Sequence, residues 1–267
     1  MKTWTRAILK MEAKNILSYR FEFWVNFLGG TIASFLIAYF LWQNLFEAKG
    51  VTLIGGMSFR GMILYYVIAP LVTRVLDADS MGFMSREIYD GSLNKYLIYP
   101  IEFFLYKGIS YFVRGAFYLL QLFLFLTIFI SIMGVPPEFH LSLLSLFVFI
   151  CFIAIAMPVY YLLVANIEMI SFWADNTWSL RVFIFLLISF LGGTMIPLNL
   201  FPAWSFPLLK ILPFRSMIYL PTQFLLGNQW ELIPEALMTL FIWGTILSLS
   251  LRLLWKKGLK VYTGVGM

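Results

Sequence analysis

Acidic residues are the first place to look for chemistry in this sequence, because carboxylates at short spacing can hold a metal ion. Asp77 and Asp79 form a D-x-D pattern at the end of an apolar run. Membrane prenyltransferases hold magnesium and a diphosphate with such aspartates, but they also need a second acidic cluster, which this sequence does not provide at a suitable spacing. We therefore favour a solvated helix end for this pair, with a lipid-modifying enzyme kept as an alternative.

The sequence lacks the usual signatures of nucleotide hydrolysis, metal binding and disulfide formation. No stretch reads G-x-x-x-x-G-K-[ST], the loop whose amides and lysine hold nucleotide phosphates. His140 is the only histidine and Cys151 the only cysteine, so we predict neither a zinc site nor a disulfide framework. We expect no catalytic residue, no metal ion and no cofactor in this chain.

Glu168 and Asp175 lie beyond the fourth of the apolar runs that are long enough to span a membrane. We predict that they are charges at the membrane surface that pair with Arg181. A carboxylate near the middle of an apolar run would suggest proton or ion coupling, and none of the long apolar runs contains one. The sequence therefore does not favour a proton relay.

The most informative polar stretch is residues 81–100, where charged and apolar residues surround two turn signals. A short helix over about 81–89 is predicted to end at Asp90 and Gly91, which favour a turn. Ser92 can then cap a second helical turn. Such a piece suits a groove on a partner protein, and equally an amphipathic linker on the membrane surface. The residues singled out here are Arg86, Glu87, Asp90, Gly91, Ser92, Leu93 and Leu97.

The elements that position these residues are predicted to be membrane-spanning helices. Hydrophobic residues make up 61% of the chain and charged residues 12%, whereas a soluble domain has about 25% charged residues. The predicted fold class is therefore all-α: a polytopic membrane protein with six transmembrane helices. The predicted spans are about Phe21–Phe46, Gly61–Leu76, Tyr111–Met133, Leu141–Ala165, Trp178–Met195 and Ile233–Leu254.

Two segments outside the spans complete the predicted organisation. Residues 1–20 alternate basic and apolar residues at near-helical spacing, which favours an amphipathic helix in the cytoplasmic interface over a frayed polar leader. Residues 197–226 are apolar but broken by prolines, which favours re-entrant helices between the fifth and sixth spans. We expect residues 21–267 to form a single transmembrane domain.

The distribution of basic residues predicts the orientation of the chain. Fifteen of the nineteen Lys and Arg residues fall in segments on one side of the predicted spans and four on the other. By the positive-inside rule, the richer side is cytoplasmic and includes both termini. We expect a multi-pass protein of the cytoplasmic membrane, in contact with lipid and not with nucleic acid.

The 81–100 stretch resembles the cytoplasmic coupling segment of type-2 ABC-exporter permeases, which form the ABC-2 transporter family. Within that family, the chain is most similar to the subgroup formerly catalogued as a family of unknown function. The shared pattern is R-E-x-x-x-G-[ST]-L-x-x-x-L-x-x-P, with Ser92 where many relatives have threonine. A second likeness runs from Phe190 to Pro202 and continues in the proline-broken stretch. The residues in this second region that we assign to a gate are Gly192, Gly193, Pro197, Pro202, Pro213 and Pro221.

This resemblance implies a permease half that dimerises with itself or with a paralogue on a pair of separately encoded ATPase subunits, which bind ATP and magnesium. It implies that Arg86 and Glu87 make charge contacts in a groove of the ATPase, where Leu93 and Leu97 pack. The 197–226 region would cap the outer end of a pathway for an amphipathic or hydrophobic substrate. The alternative is a secondary transporter or channel that works without an ATPase.

Overall fold

The computed structural model of the chain describes residues 2–78, 82, 84–174 and 177–264. Helices joined by short loops make up this part of the chain, and no β-strand occurs within it. The predicted all-α fold class is thereby confirmed. The α-helices are α1 (Lys2–Ser18), α2 (Arg20–Lys49), α3 (Phe59–Asp77), α4 (Ser85–Tyr89), α5 (Asn94–Leu97), α6 (Phe103–Met133), α7 (Leu143–Glu168), α8 (Trp178–Leu191), α9 (Phe206–Ile211), α10 (Leu220–Leu225) and α11 (Ile233–Val261).

Among the described residues, five helices are long and apolar enough to cross a membrane: α2, α3, α6, α7 and α11. Each corresponds to a predicted span, with ends shifted by a few residues. The largest difference is in α6, which begins at Phe103 instead of Tyr111. The extra turns at its start carry Lys107 and contribute to the contacts of the 81–100 segment. They extend the helix beyond the apolar run that defined the span.

The predicted fifth span is shorter than expected. It corresponds to α8, which has 14 residues and ends at Leu191 instead of Met195. At 1.5 Å per residue the helix is about 21 Å long, less than the hydrocarbon thickness of about 30 Å. The helix stops because Gly192 and Gly193 follow it, and Gly193 has a φ of +87°, a backbone conformation that favours glycine.

The packing of α3 places it at the centre of the helix bundle. Thirteen of its nineteen residues are buried, and it packs against α2, α6 and α7. Its Ser58 N-cap accepts a hydrogen bond from the backbone N–H of Gly61 at 3.1 Å, which satisfies one free donor at the start of the helix. This buried helix leads directly into the 81–100 segment.

Two helices are poorly covered by the rest of the chain. In α2 only Phe27, Ala38 and Trp42 are buried, and in α8 only Ile188 and Ser189. Exposed apolar surface on this scale requires lipid or another protein, since water would not solvate it favourably.

The N-terminal helix α1 packs against α6 and α2. Its buried side carries Ile8 and, unexpectedly, Glu12, whose Oε1 accepts a hydrogen bond from Ser110 at 2.9 Å. Trp4 and Met11 are about half exposed on the rest of the helix. Exposed apolar side chains between basic residues are typical of helices that lie in a membrane interface, which is the location predicted for this helix.

Candidate functional site

The turn in the 81–100 segment is built as expected around Asp90 and Gly91. The helix α4 ends at Tyr89, and Gly91 has a φ of +75°. The predicted cap by Ser92 is wrong: the backbone N–H of Ser92 donates to Asp90 Oδ1 at 2.9 Å, and α5 begins without a side-chain cap. Hydrogen bonds from the Ser92 side chain and backbone lower the pKa of Asp90, because they stabilise its charged form.

Glu87 anchors this segment to α6 from inside the protein. It is 9% exposed, and its Oε1 accepts a hydrogen bond from the Tyr96 hydroxyl at 2.7 Å. The same oxygen pairs with Lys107 Nζ at 2.6 Å. Burial, together with the hydrogen bond to Glu87, raises the pKa of Tyr96. Because Glu87 is engaged internally, this geometry does not support the direct contact with a partner that the resemblance implied for it.

Glu168, at the end of α7, holds the start of the segment. It is fully buried, and its carboxylate accepts hydrogen bonds from the backbone N–H groups of Gly82 and Ser85, each at 2.8 Å. Arg181 Nη1 lies 3.7 Å from Glu168 Oε1 and 3.2 Å from Ser85 Oγ. The predicted pairing of Glu168 with Arg181 is confirmed, although the carboxylate is buried and not at an exposed surface. Asp175 lies outside the described residues.

The C-terminal end of the chain forms a further clamp on the segment. The Tyr262 hydroxyl donates to the Gly91 carbonyl at 2.9 Å, and Asn94 Nδ2 donates to the Gly264 carbonyl at 3.1 Å. Gly91 belongs to the turn and Asn94 to α5, so these two contacts hold the turn and the second helix of the segment. It contacts α6, the end of α7, the start of α8 and the residues that follow α11.

The exposed side chains of the segment are in part apolar or aromatic and in part charged or polar. Leu97 is 46% exposed and Ile98 81%, while Leu93 is completely buried. The packing of Leu93 against a partner, which the resemblance implied, is therefore replaced by packing within the chain. We define the exposed face of the segment by its exposed residues, which are Arg86, Tyr89, Asp90, Asn94, Lys95, Leu97, Ile98, Tyr99 and Pro100.

The break after α8 creates irregular backbone beside the central helix α3. The Tyr65 hydroxyl donates to the Gly193 carbonyl at 2.6 Å, and the Tyr66 hydroxyl donates to the Met195 carbonyl at 2.7 Å. Irregular backbone within a membrane requires partners of this kind inside the protein, because lipid offers none. The two tyrosines were not singled out by sequence reasoning.

The predicted gate residues lie in a chain of short helices between α8 and α11. Gly192 is buried, and a Cβ there would lie 2.5 Å from the Ile188 carbonyl oxygen, so the close approach of the backbone favours glycine. Pro197, Pro213 and Pro221 are buried, and Pro202 is exposed. The broken, largely buried course agrees with the irregular structure predicted for 197–226.

A partly buried ion pair lies in this region and was not predicted from the sequence. Arg215, 6% exposed, begins the π-helical segment Arg215–Tyr219 and pairs with Glu235 near the start of α11. The pair joins the broken region to the last long helix. An arginine within an otherwise apolar stretch was the available sequence signal, because such a charge needs a partner when it is buried.

Only the first aspartate of the D-x-D pattern lies within the described residues. Asp77 ends α3, and its Oδ1 accepts a hydrogen bond from the Tyr160 hydroxyl at 3.4 Å. Asp79 lies outside the described residues. Within the described ranges, no group of three or more His, Cys, Asp or Glu side chains could hold a metal ion.

These features define a multi-pass α-helical membrane protein with a compact, firmly anchored segment between α3 and α6. Residues 32–266 match the family of ABC-2 family transporter proteins, and the chain belongs to this family. Comparison with curated proteins and with solved structures found no match. Family membership makes the chain a membrane permease component of an ABC transporter, distinct from the ATPase, and implies partnership with ABC ATPase subunits.

Proposed function

We propose that the chain is one permease half of an ATP-driven exporter that moves an amphipathic or hydrophobic substrate outward across the cytoplasmic membrane. A pair of ATPase subunits would supply the energy by binding ATP and magnesium. The observation that carries the proposal is the 81–100 segment, which is anchored internally by Glu87 and exposes Leu97 and Ile98. An anchored, exposed element of this kind suits the groove of a partner protein.

The anchors of the segment give a physical route for coupling. Glu87 joins it to α6 through Lys107, and Glu168 joins it to α7 and, through Arg181, to α8. A displacement of the exposed face by closing ATPase subunits would therefore move the cytoplasmic ends of several spans together. In this proposal the buried carboxylates transmit movement, and the exposed face of the segment makes the contact.

A second permease subunit is the proposed cover for α2 and α8. Both helices leave large apolar side chains exposed, such as Ile37 at 70% and Phe183 at 57%. Lipid could solvate some of this surface, but α8 is too short to cross the bilayer without the residues that follow it, and only two of its residues are buried against its own chain. The substrate pathway would then lie between the two permease halves, with the 197–226 region capping its outer end.

The orientation with cytoplasmic termini is supported by the uneven distribution of basic residues. In a background with Cys151→Ala, a Leu97→Cys variant is expected to react with an impermeant maleimide only after the membrane is opened. Val51→Cys has similar exposure and lies in the loop between α2 and α3, on the predicted outer side. It is the matched control and should react in intact cells. The reverse labelling pattern would contradict the orientation.

The contact with the ATPase can be tested on the exposed face alone. Arg86→Glu combined with Leu97→Asp is expected to lower co-purification of a co-expressed partner ABC ATPase subunit about tenfold or more. The two new carboxylates would repel the groups that the Arg86 guanidinium attracts and would lose their hydration when the partner binds. The control is Arg60→Glu, an exposed charge reversal near the start of α3. Unchanged co-purification of a variant that is still inserted and monodisperse would contradict the proposal.

A further inference from the structure

The C-terminal turns of α11 carry an unbalanced positive charge. Four basic residues are exposed there and form what we call the basic cluster: Arg252, Lys256, Lys257 and Lys260. No Asp or Glu follows Glu235 within α11. None of the four side chains forms an ion pair with a residue that the structure describes. The negative end of a helix dipole is equivalent to about half an elementary charge, so the cluster exceeds what the helix end itself can balance.

Carboxylates of the neighbouring elements do not cancel this charge. Glu168, at the end of α7, is fully buried and faces Arg181. Asp90 and Glu102 are exposed on the segments that contact the end of α11. They carry two negative charges, whereas the basic cluster carries four positive ones and Lys95 of α5 adds another. A net positive charge therefore remains at this end of the helix.

The basic cluster continues the apolar side of α11 that the rest of the chain leaves uncovered. Large exposed side chains on that side of the span are those of Met238, Ile242 and Leu249. Arg252, Lys256 and Lys260 follow at steps of three or four residues, which keeps them on the same side of a helix. The side of α11 that requires an apolar environment along the span therefore ends in positive charge.

The opposite side of the same turns packs inside the protein. Trp255 stacks on Phe103 with the ring centroids 5.4 Å apart. Gly258 lies so close to Phe172 that a Cβ there would clash with the aromatic ring. Leu251, one turn earlier, is 5% exposed. The basic cluster therefore faces outward from the helix bundle, toward whatever surrounds α11.

The length of α11 places the basic cluster at the level of the lipid headgroups. At 1.5 Å per residue, Arg252 lies about 29 Å along the helix from Ile233, close to the hydrocarbon thickness of about 30 Å. Lys256 and Lys260 lie about 6 and 12 Å further along the axis. Lysine side chains at this depth can extend toward headgroup phosphates while their methylene groups cover apolar surface.

We propose that the basic cluster binds the phosphate groups of anionic membrane lipids, whose acyl chains lie along the uncovered apolar side of α11. Basic residues just outside a span attract anionic headgroups. An acidic protein surface is a less suitable occupant, because the cluster lies on the side of the helix that continues into the hydrocarbon region. In the orientation proposed above, the lipids belong to the cytoplasmic leaflet. Binding requires no ATPase, so its failure and the failure of the proposed function can be told apart.

The basic cluster ends just before the C-terminal clamp on the 81–100 segment. Tyr262 donates to the Gly91 carbonyl at 2.9 Å, and Asn94 donates to the Gly264 carbonyl at 3.1 Å. Lipid that holds Lys260 therefore also restrains the residues that form this clamp. We expect anionic lipid to slow hydrogen exchange at the amides of residues 91–97.

The test uses a fluorophore attached to Leu253→Cys in the Cys151→Ala background, in vesicles of equimolar phosphatidylglycerol and phosphatidylcholine. Leu253 is 61% exposed beside the basic cluster. One of the two lipids carries a quenching nitroxide near its headgroup, and the experiment is repeated with the nitroxide on the other lipid. We expect phosphatidylglycerol to occupy the site about fivefold more often than phosphatidylcholine. Phe241→Cys, 77% exposed in the first half of α11, is the control position and should be quenched equally by both lipids.

A triple variant of α11 removes the charges and leaves the packed side of the helix unchanged. It is expected to abolish both the lipid preference and the slower exchange at residues 91–97, and its changes are Arg252→Gln, Lys256→Gln and Lys260→Gln. The matched control removes three exposed charges at the same spacing on α1 and should keep both effects; its changes are Arg6→Gln, Lys10→Gln and Lys14→Gln.

Equal quenching by the two lipids beside the cluster, or an unchanged preference in the triple variant of α11, would overturn the inference. If that variant also loses a co-expressed ATPase subunit while the wild type shows no lipid preference, the cluster is a protein contact instead. Exchange at residues 91–97 that is equally fast in vesicles of phosphatidylcholine alone and in the mixture would contradict the link to the clamp.

Discussion

Replacing Glu168 with alanine is expected to increase local opening at the start of the 81–100 segment about a hundredfold or more. The fully buried carboxylate accepts hydrogen bonds from the N–H groups of Gly82 and Ser85 and faces Arg181. Removing one partner of a buried ion pair costs about 3–5 kcal/mol, and about 1.4 kcal/mol corresponds to a factor of ten. Two buried donors are left without their acceptor as well, which adds to the cost.

Hydrogen exchange of the purified chain measures this opening directly at the amides of α4. We expect the loss of protection to be concentrated there, with α3 and α7 remaining protected, because their own packing is unchanged. The matched control is Glu231→Ala, which removes an exposed carboxylate before α11. Protection of α4 that is the same in Glu168→Ala and in wild type would show that this carboxylate does not hold the segment.

The second large effect is expected from Lys107→Met, which removes the ammonium group paired with Glu87 at 2.6 Å. Both side chains are buried, so the substitution leaves a buried carboxylate without its counter-charge. We expect destabilisation by about 3–5 kcal/mol, measured as a lower midpoint of thermal unfolding in detergent.

A double variant distinguishes the stability lost with the ion pair from the stability lost through altered side-chain packing. Lys107→Met combined with Glu87→Gln removes the buried charge and keeps an oxygen for the Tyr96 hydroxyl, so it should regain much of the stability. Lys95→Met removes an exposed lysine of the same segment and is expected to have little effect. If the double variant is as unstable as the sum of the single changes, Glu87 and Lys107 are not energetically coupled.

The long spans could be predicted because each is a run of apolar residues whose ends are marked by charge, glycine or proline. The end of α8 could not be placed this way, since the run continues past the backbone break at Gly192 and Gly193. The backbone carbonyl groups at this break accept hydrogen bonds from the hydroxyls of Tyr65 and Tyr66, which lie far away in the sequence. A local pattern carries no information about such distant partners.

The candidate site shows the same division between local and distant structure. The turn at Asp90 and Gly91 was predictable, because both residues favour turns by their own chemistry. The burial of Glu87 could not be predicted, because its partner Lys107 lies outside the segment, just before the predicted start of the third span at Tyr111. The resemblance identified the right stretch of chain, and the structure reassigned which of its side chains face inward.

The central claim is that the 81–100 segment contacts an ABC ATPase subunit, and site-directed cross-linking tests it most directly. Leu97→Cys in the Cys151→Ala background would carry a short photoreactive maleimide in membranes that also contain the co-expressed partner ABC ATPase subunit. Val51→Cys, 42% exposed against 46% for Leu97, is the matched control. The account predicts a cross-link to the ATPase from position 97 and none from position 51. No cross-link from position 97, or equal cross-linking from both positions, would contradict it.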